Sequence, residues 1–160
     1  MALDHTARIA ELEAEQRELV FDSFDTADAW RLGCILTERA LDEGLGVAID
    51  IRRPGLILFR TALAGTTADN EYWIGGKSAA VLRLESSSLL LAEKFAEHGI
   101  DPAGTGWLPA SDYTVAGGSV PVRVAGAGVV AAVTVSGLSS EDDHQLVVDA
   151  MRSFLREGDS

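Results

Sequence analysis

Apolar residues recur at helical spacing in four segments of the chain. The first, over 4–21, is rich in Glu and Arg and has a narrow apolar side, so most of its surface is expected to face solvent. The second follows Asp25, a candidate cap with Asp28 three residues later, and its apolar stripe ends near Gly44. The last, over about 139–156, carries the strongest amphipathic pattern. These patterns predict helices that each bury one face.

The remaining helical pattern is long and extends from a cap at Thr67 or Asp69 to about Gly99. Gly75 and Gly76 interrupt its first turns, and each glycine costs a helix about 1 kcal/mol relative to alanine. Two such residues at one place indicate a kink or a close contact with another chain.

Elsewhere apolar and polar residues alternate, which is typical of half-buried strands. This alternation predicts five strands: 47–52, 56–61, 113–116, 120–124 and 129–136. Pro54-Gly55 provides the turn of a hairpin between the first two, and Pro121 favours an edge or bulge position. The order α-α-β-β-α-β-β-β-α predicts a single α+β domain over 1–160, in which helices flank an antiparallel sheet of about five strands.

Composition limits the partners without identifying a reaction. The chain has 160 residues, with 25 acidic and 13 basic side chains and a formal net charge of −12. Such a surface repels phosphate backbones and anionic membranes, so neither a nucleic acid nor a membrane is expected as a partner. The single cysteine, Cys34, together with a charged opening segment and no long apolar run, predicts a cytoplasmic protein.

The start of the long helix is the first candidate ligand site. Asp69, Asn70, Trp73 and Lys77 lie there, and Trp73 and Lys77, four residues apart, are neighbours on one helix face. A tryptophan beside a lysine can line a site for an anionic or aromatic ligand. The alternative is that the indole packs on the aliphatic part of the lysine.

The second candidate is His144, which follows Asp143 in the first turn of the last helix. Its place beside the apolar face is compatible with a ligand or acid–base role. The alternative is structural, with Ser140 and Asp143 forming a capping box and the histidine hydrogen-bonded. None of the three histidines has the spacing of a zinc site, so no metal site is expected from the histidine pattern. No catalytic residue can be assigned.

One set of short motifs is spread over about 24–155. It comprises 48–52, 55, 58–59, 65–67, 69–70, 73–74, 77, 87–88, 117–119, 121, 133–138 and 143–144. Together these motifs resemble a family of uncharacterised proteins grouped with the GlcG-like and HbpS-like haem-degrading-domain proteins. The resemblance implies a profilin-like fold and symmetric homo-oligomers. It also implies haem binding or degradation, an activity that belongs to some relatives only.

The resemblance implies how a haem would be held. His144 is the leading candidate for the axial ligand, and the candidates behind it are Tyr72, Tyr113 and Met151. Family members often carry arginines beside the tryptophan, where this chain has Gly75 and Gly76. The basic partners that remain for the haem propionates are Lys77, Arg52 and Arg53.

Three hypotheses follow from these observations. The first is a homo-oligomeric small-molecule-binding protein, with haem as one candidate ligand. The second is an enzyme that degrades haem oxidatively, which has to bind haem before turning it over with a reductant and oxygen. The third is a non-catalytic oligomeric scaffold whose motif residues serve assembly.

Overall fold

The structure, a computed structural model, describes residues 4–158. The helices in this range are α1 (His5–Glu18), α2 (Thr26–Asp42), α3 (Ala68–Leu84), α4 (Ser88–Glu97) and α5 (Ser140–Gly158). The strands are β1 (Val20–Phe21), β2 (Ala48–Arg53), β3 (Leu56–Ala62), β4 (Ser119–Val124) and β5 (Gly128–Ser136). A 3₁₀ turn, Pro102–Thr105, follows α4. None of the helices described is both long and apolar enough to cross a lipid bilayer.

The strands form one sheet in the order β1-β4-β5-β2-β3. The predicted α+β class, with helices around five strands, is confirmed. Pairs β4–β5, β5–β2 and β2–β3 are antiparallel as predicted. The prediction of an antiparallel sheet is wrong at the β1 edge, because β1 pairs parallel with β4. A parallel pair requires a long crossover connection, and the chain between β1 and β4 supplies it.

Two local predictions are wrong. Residues 113–116 form no strand and lie in the loop before β4, whereas the fifth strand is β1, which falls inside the predicted first helix. The predicted long helix is broken at Glu85, which has a left-handed φ of 53°. Ser87 then caps α4, because its Oγ accepts a hydrogen bond from the Leu90 N–H at 3.3 Å. Serine favours such cap positions over helix interiors, so the serine run begins a new helix.

The two faces of the sheet differ in polarity. The apolar face packs against α2 and α5 in a core that includes Ile49, Ile51, Val122, Val133, Val147 and Met151. The alternate residues face α3 and α4, and Asp50, Ser119 and Thr134 among them are polar and fully buried. The Ser119 and Thr134 hydroxyls are hydrogen-bonded at 2.8 Å. The side of the sheet that receives α3 therefore carries fixed polar groups.

Helix α1 lies against α4 and α5. A small apolar cluster of Ile9, Leu12, Leu89 and Leu90 joins it to α4. Its charged side is largely exposed, as expected, but it also contacts α5. Arg8 Nη2 donates to Glu141 Oε2 of that helix at 2.6 Å. The charged face thus carries inter-helix ion pairs.

Candidate functional site

The start of α3 is fixed by a capping box. Thr67 Oγ1 accepts a hydrogen bond from the Asp69 N–H at 3.3 Å, and the Thr67 N–H donates to Asn70 Oδ1 at 2.9 Å. Asn70 also reaches the sheet, where its Nδ2 donates to Ser136 O at 3.3 Å and to Ser136 Oγ at 3.2 Å. One amide therefore ties the first turn of α3 to the end of β5.

Trp73 stands on the same helix face, half exposed. Its Nε1 donates to Asp69 Oδ2 at 3.0 Å, and its exposed fraction is 38%. Since the Asp69 carboxylate restrains the indole on one edge, the ring has a defined orientation without being buried in the core. An exposed aromatic ring that is held in place is suited to contact a ligand.

Lys77 lies one turn further along α3 and is paired with Asp143. Its Nζ donates to Asp143 Oδ2 at 3.2 Å and to Val135 O at 3.1 Å, and both side chains are almost wholly buried. Burial raises the pKa of the Asp143 carboxyl above its ordinary value, and the Lys77 ammonium opposes this rise. Burial likewise lowers the pKa of Lys77, with Asp143 opposing the change. Desolvation therefore outweighs mutual attraction in both groups.

Asp143 is not the capping-box partner of Ser140 that the sequence pattern suggested. Its Oδ1 accepts a hydrogen bond from the Leu138 N–H at 2.9 Å, so the carboxylate turns toward the 136–138 loop. Ser139 caps α5 instead, since its Oγ accepts from the Asp142 N–H at 3.1 Å. The predicted Ser140–Asp143 capping box is therefore wrong, because the buried lysine and the loop amide offer Asp143 better partners.

These residues surround an open cleft of about 250 Å³. Five of the predicted site residues line it: Asp69, Asn70, Trp73, Lys77 and Asp143. Sequence reasoning did not assign Ser136 or Ser140 to the site, although both line it. The sequence feature that could have indicated Ser136 is its position at the end of a predicted strand. The charged groups at the cleft are two carboxylates and one ammonium, and the ammonium is already paired.

His144 lies elsewhere, although it is adjacent to Asp143 in sequence. It is fully buried, with Nε2 2.6 Å from Glu15 Oε1 of α1. Its Nδ1 has no hydrogen-bond partner among the described residues. Sequence reasoning missed Glu15, because the two residues are 129 positions apart and nothing local links them. The predicted structural role, a hydrogen-bonded histidine, agrees with this contact.

Arg52 also lies outside the cleft. Its guanidinium makes two hydrogen bonds to the fully buried Asp50, from Nε to Oδ1 at 2.7 Å and from Nη2 to Oδ2 at 2.8 Å. Arg60 donates to the same carboxylate at 3.2 Å and is also paired with Glu71. Paired arginines are common around a buried carboxylate, which needs such compensation.

The candidate haem ligands do not converge on the cleft. His144 is covered by α1, and Met151 is fully buried in the main core. The Tyr72 hydroxyl donates to Ala110 O at 2.8 Å, and the Tyr113 ring lies under the Arg83 guanidinium. A haem site needs an axial donor beside an apolar slot. The residues that line this cleft supply neither, so they do not fit a haem held within one chain.

Fold and cleft together define a class of α+β protein with a small polar cleft between a helix start and a strand end. A family model described as "Haem degrading protein HbpS-like" matches residues 24–152. The chain therefore belongs to the HbpS-like family, as its motifs suggested.

Individual proteins agree with this assignment. A UPF0303 protein of Streptomyces coelicolor is 46% identical over 149 residues, covering 93% of this chain and 94% of the relative. The crystal structure of Ybr137w has 29% identity and a TM-score of 0.87, covering 95% of this chain and 90% of that chain. The structure of a PduOC:heme complex has a TM-score of 0.69 over 82% of this chain and 94% of that chain. Its 16% identity shows a shared fold alone.

Proposed function

We propose that this protein binds a small polar molecule in the cleft between the start of α3 and the 136–138 loop. The observation that carries the proposal is the buried Lys77–Asp143 pair at the cleft. A buried ion pair often contributes no more to stability than packed apolar side chains, so we infer a role for this pair beyond folding stability. Charged groups with shifted pKa values beside a cleft are typical of binding sites.

The size and charge of the cleft restrict the ligand. Its volume of about 250 Å³ is below the roughly 300–1,000 Å³ of sites for drug-sized ligands. Lys77 is already paired with Asp143, so it leaves no uncompensated cation for a propionate or another strong anion. These features favour a compact ligand with several hydrogen-bonding groups.

A thermal-shift screen tests the cleft directly. The library would contain small amino acids, sugars and polyols, applied to the wild type and to Asn70→Asp. This substitution keeps an acceptor for the Thr67 N–H but removes the donor to Ser136. Gln145→Glu makes the same chemical change at an exposed position away from the cleft.

The expected result is at least one compound that raises Tm in the wild type and in Gln145→Glu, with a smaller rise in Asn70→Asp. Ligand binding to the folded state raises the free energy of unfolding, which makes Tm a readout of binding. If no compound raises Tm, or if Asn70→Asp responds fully, the cleft is not the ligand site.

The family match makes haem the alternative ligand to test. Because His144 is covered by α1, we expect haemin to give no saturable Soret band that depends on this residue. Purified wild type and His144→Ala would be titrated with haemin, alongside an unrelated acidic protein of similar size. A stoichiometric shifted band that disappears in His144→Ala would reverse this expectation. Oxidative degradation requires bound haem, so a negative titration would also remove that hypothesis.

Self-association is part of the proposal, and β3 supports it. Within residues 4–158 no strand pairs with the outer edge of β3, and Leu56, Ile57 and Trp30 beside it are exposed. Exposed apolar residues along a free strand edge mark a surface for association. A second copy of the chain is the partner we propose for this edge.

A further inference from the structure

A second pocket, of about 210 Å³, lies beside Trp73. It is formed by the start of α3 and the segment 101–115. Both tyrosines of the chain, Tyr72 and Tyr113, line it together with one of the three tryptophans. Aromatic residues are only 6% of the sequence, so three rings in one small pocket are a marked concentration.

Two of the rings form a fixed corner. The Tyr72 and Trp73 rings stand at 82° with centroids 5.8 Å apart. The Tyr72 hydroxyl is held by Ala110 O at 2.8 Å, and the indole N–H by Asp69 Oδ2 at 3.0 Å. Their exposed fractions are 50% and 38%, so these rings are held without being buried. Each ring therefore keeps part of its surface open to a ligand.

The third ring already attracts a cation. The Arg83 guanidinium lies 5.0 Å from the centroid of the Tyr113 ring, while Arg83 itself does not line the pocket. A ring face carries negative electrostatic potential, which is the basis of such contacts.

Asp101 provides the charge at this pocket. Its Oδ1 accepts a hydrogen bond from the Ala103 N–H at 3.1 Å, which fixes the carboxylate at the start of the 3₁₀ turn. Among the described residues no other charged side chain lines the pocket. The net charge of −12 adds to a potential that favours cations over anions.

We propose that this pocket binds an organic cation, specifically a methylated ammonium group. Tyr72 and Trp73 provide exposed ring surfaces that receive N-methyl groups, Tyr113 adds the ring surface that Arg83 leaves free, and Asp101 neutralises the charge. A metal ion does not suit the site, since one carboxylate supplies too few of the six to eight oxygen ligands that a hard cation takes. The pocket adjoins the Lys77–Asp143 cleft at Trp73, which lines both, but neither Lys77 nor Asp143 lines the pocket.

Choline and 3,3-dimethylbutan-1-ol are the probes, because they share a shape and differ in charge. Each would be titrated into ¹⁵N-labelled protein while the Trp73 indole N–H signal is followed. We expect saturable shifts with choline, and binding of the neutral alcohol that is about tenfold weaker or more. Equal binding of both compounds, or no saturable shift with choline, would overturn the proposal.

Variants distinguish binding in the pocket from long-range attraction of choline by the negative net charge. Asp101→Asn keeps the acceptor for the Ala103 N–H and removes only the charge, so it should weaken choline severalfold and leave the alcohol unchanged. Tyr113→Leu should weaken choline further because it removes a ring face. Asp112→Asn is the control, being an exposed carboxylate of the same segment outside the pocket. If Asp112→Asn weakens choline as much as Asp101→Asn, long-range charge explains the binding and the pocket assignment fails.

Discussion

Lys77 of α3 and Asp143 of α5 meet through a hydrogen-bonded ion pair, with Nζ 3.2 Å from Oδ2, although the two residues are 66 positions apart in sequence. Both side chains are almost wholly buried, and Val135 O and the Leu138 N–H complete their partners. The pair therefore joins two helices and the strand between them, and it forms part of the wall of the proposed ligand cleft.

Breaking this pair from one side should be more costly than removing it. Asp143→Asn keeps an acceptor for the Leu138 N–H but leaves the Lys77 ammonium buried without a counter-charge, which should cost about 3–5 kcal/mol. Lys77→Met likewise leaves the Asp143 carboxylate buried without a counter-charge. The double variant should lose less than the sum of the two single losses, by about 1 kcal/mol or more. Urea denaturation of the four proteins measures this coupling, and strictly additive losses would exclude it.

The same pair should give stability a characteristic pH dependence. The pKa of Asp143 is raised above 3.8, so its stabilising contribution is fully present below that pH and is lost as pH rises through the folded-state value. The pKa of Lys77 is lowered below 10.5, so this group loses its proton at a lower pH in the folded protein than in the unfolded chain. The destabilisation caused by the buried ammonium therefore declines as pH rises toward 10.5. The free energy of unfolding of the wild type, minus that of Lys77→Met/Asp143→Asn, should therefore be lowest between the two folded-state values. Urea denaturation at a series of pH values gives this difference. A flat profile, or a maximum in that range, would be inconsistent with it.

Gly75 and Gly76 should respond in opposite directions to the same substitution. A Cβ on Gly76 would collide with Thr114, which lies in the loop that precedes β4. By contrast, nothing lies within 4 Å of a Cβ on Gly75. The close contact expected at these glycines thus comes from the chain itself. Gly75→Ala should stabilise the protein by about 0.5–1 kcal/mol through helix propensity. Gly76→Ala should destabilise it by about 1–3 kcal/mol through overpacking. Thermal denaturation compares the two, and equal effects would show that Thr114 moves aside freely.

Local signals in the sequence were the reliable ones. The Asp25–Asp28 capping box is present, with the Asp28 N–H donating to Asp25 Oδ1 at 2.8 Å. The hairpin around Pro54-Gly55 is also confirmed. Such features depend on neighbouring residues, whose spacing is visible in the sequence.

Long-range partners were not predictable from the same patterns. Helical spacing placed Lys77 and Asp143 correctly on their own helices but could not show that these faces meet. The first turn of α5 shows the limit clearly, because a pattern suited to a Ser140–Asp143 cap is overridden by a buried lysine from another helix. Strand β1 has only two residues and pairs with a strand far along the chain, so no alternation identifies it.

The free edge of β3 is the surface on which self-association is expected. Ile57 of this strand has an exposed fraction of 49%, and Ile100, which follows α4, has 47%. The two isoleucines are therefore equally exposed and lie in different parts of the fold. A charge introduced at each position distinguishes an interface from an ordinary surface, because burying an unpaired ammonium between subunits is costly.

We expect light scattering of the wild type to give a multiple of the 16.9 kDa chain mass. Ile57→Lys should shift the population toward the single chain, since the lysine would lie in the contact between two copies. Ile100→Lys should leave the mass unchanged, because it places the same charge at an equally exposed residue away from β3. A wild type of 16.9 kDa would refute self-association altogether. A stable oligomer in Ile57→Lys, or dissociation in both variants, would move the interface away from β3 and leave its apolar edge without a partner.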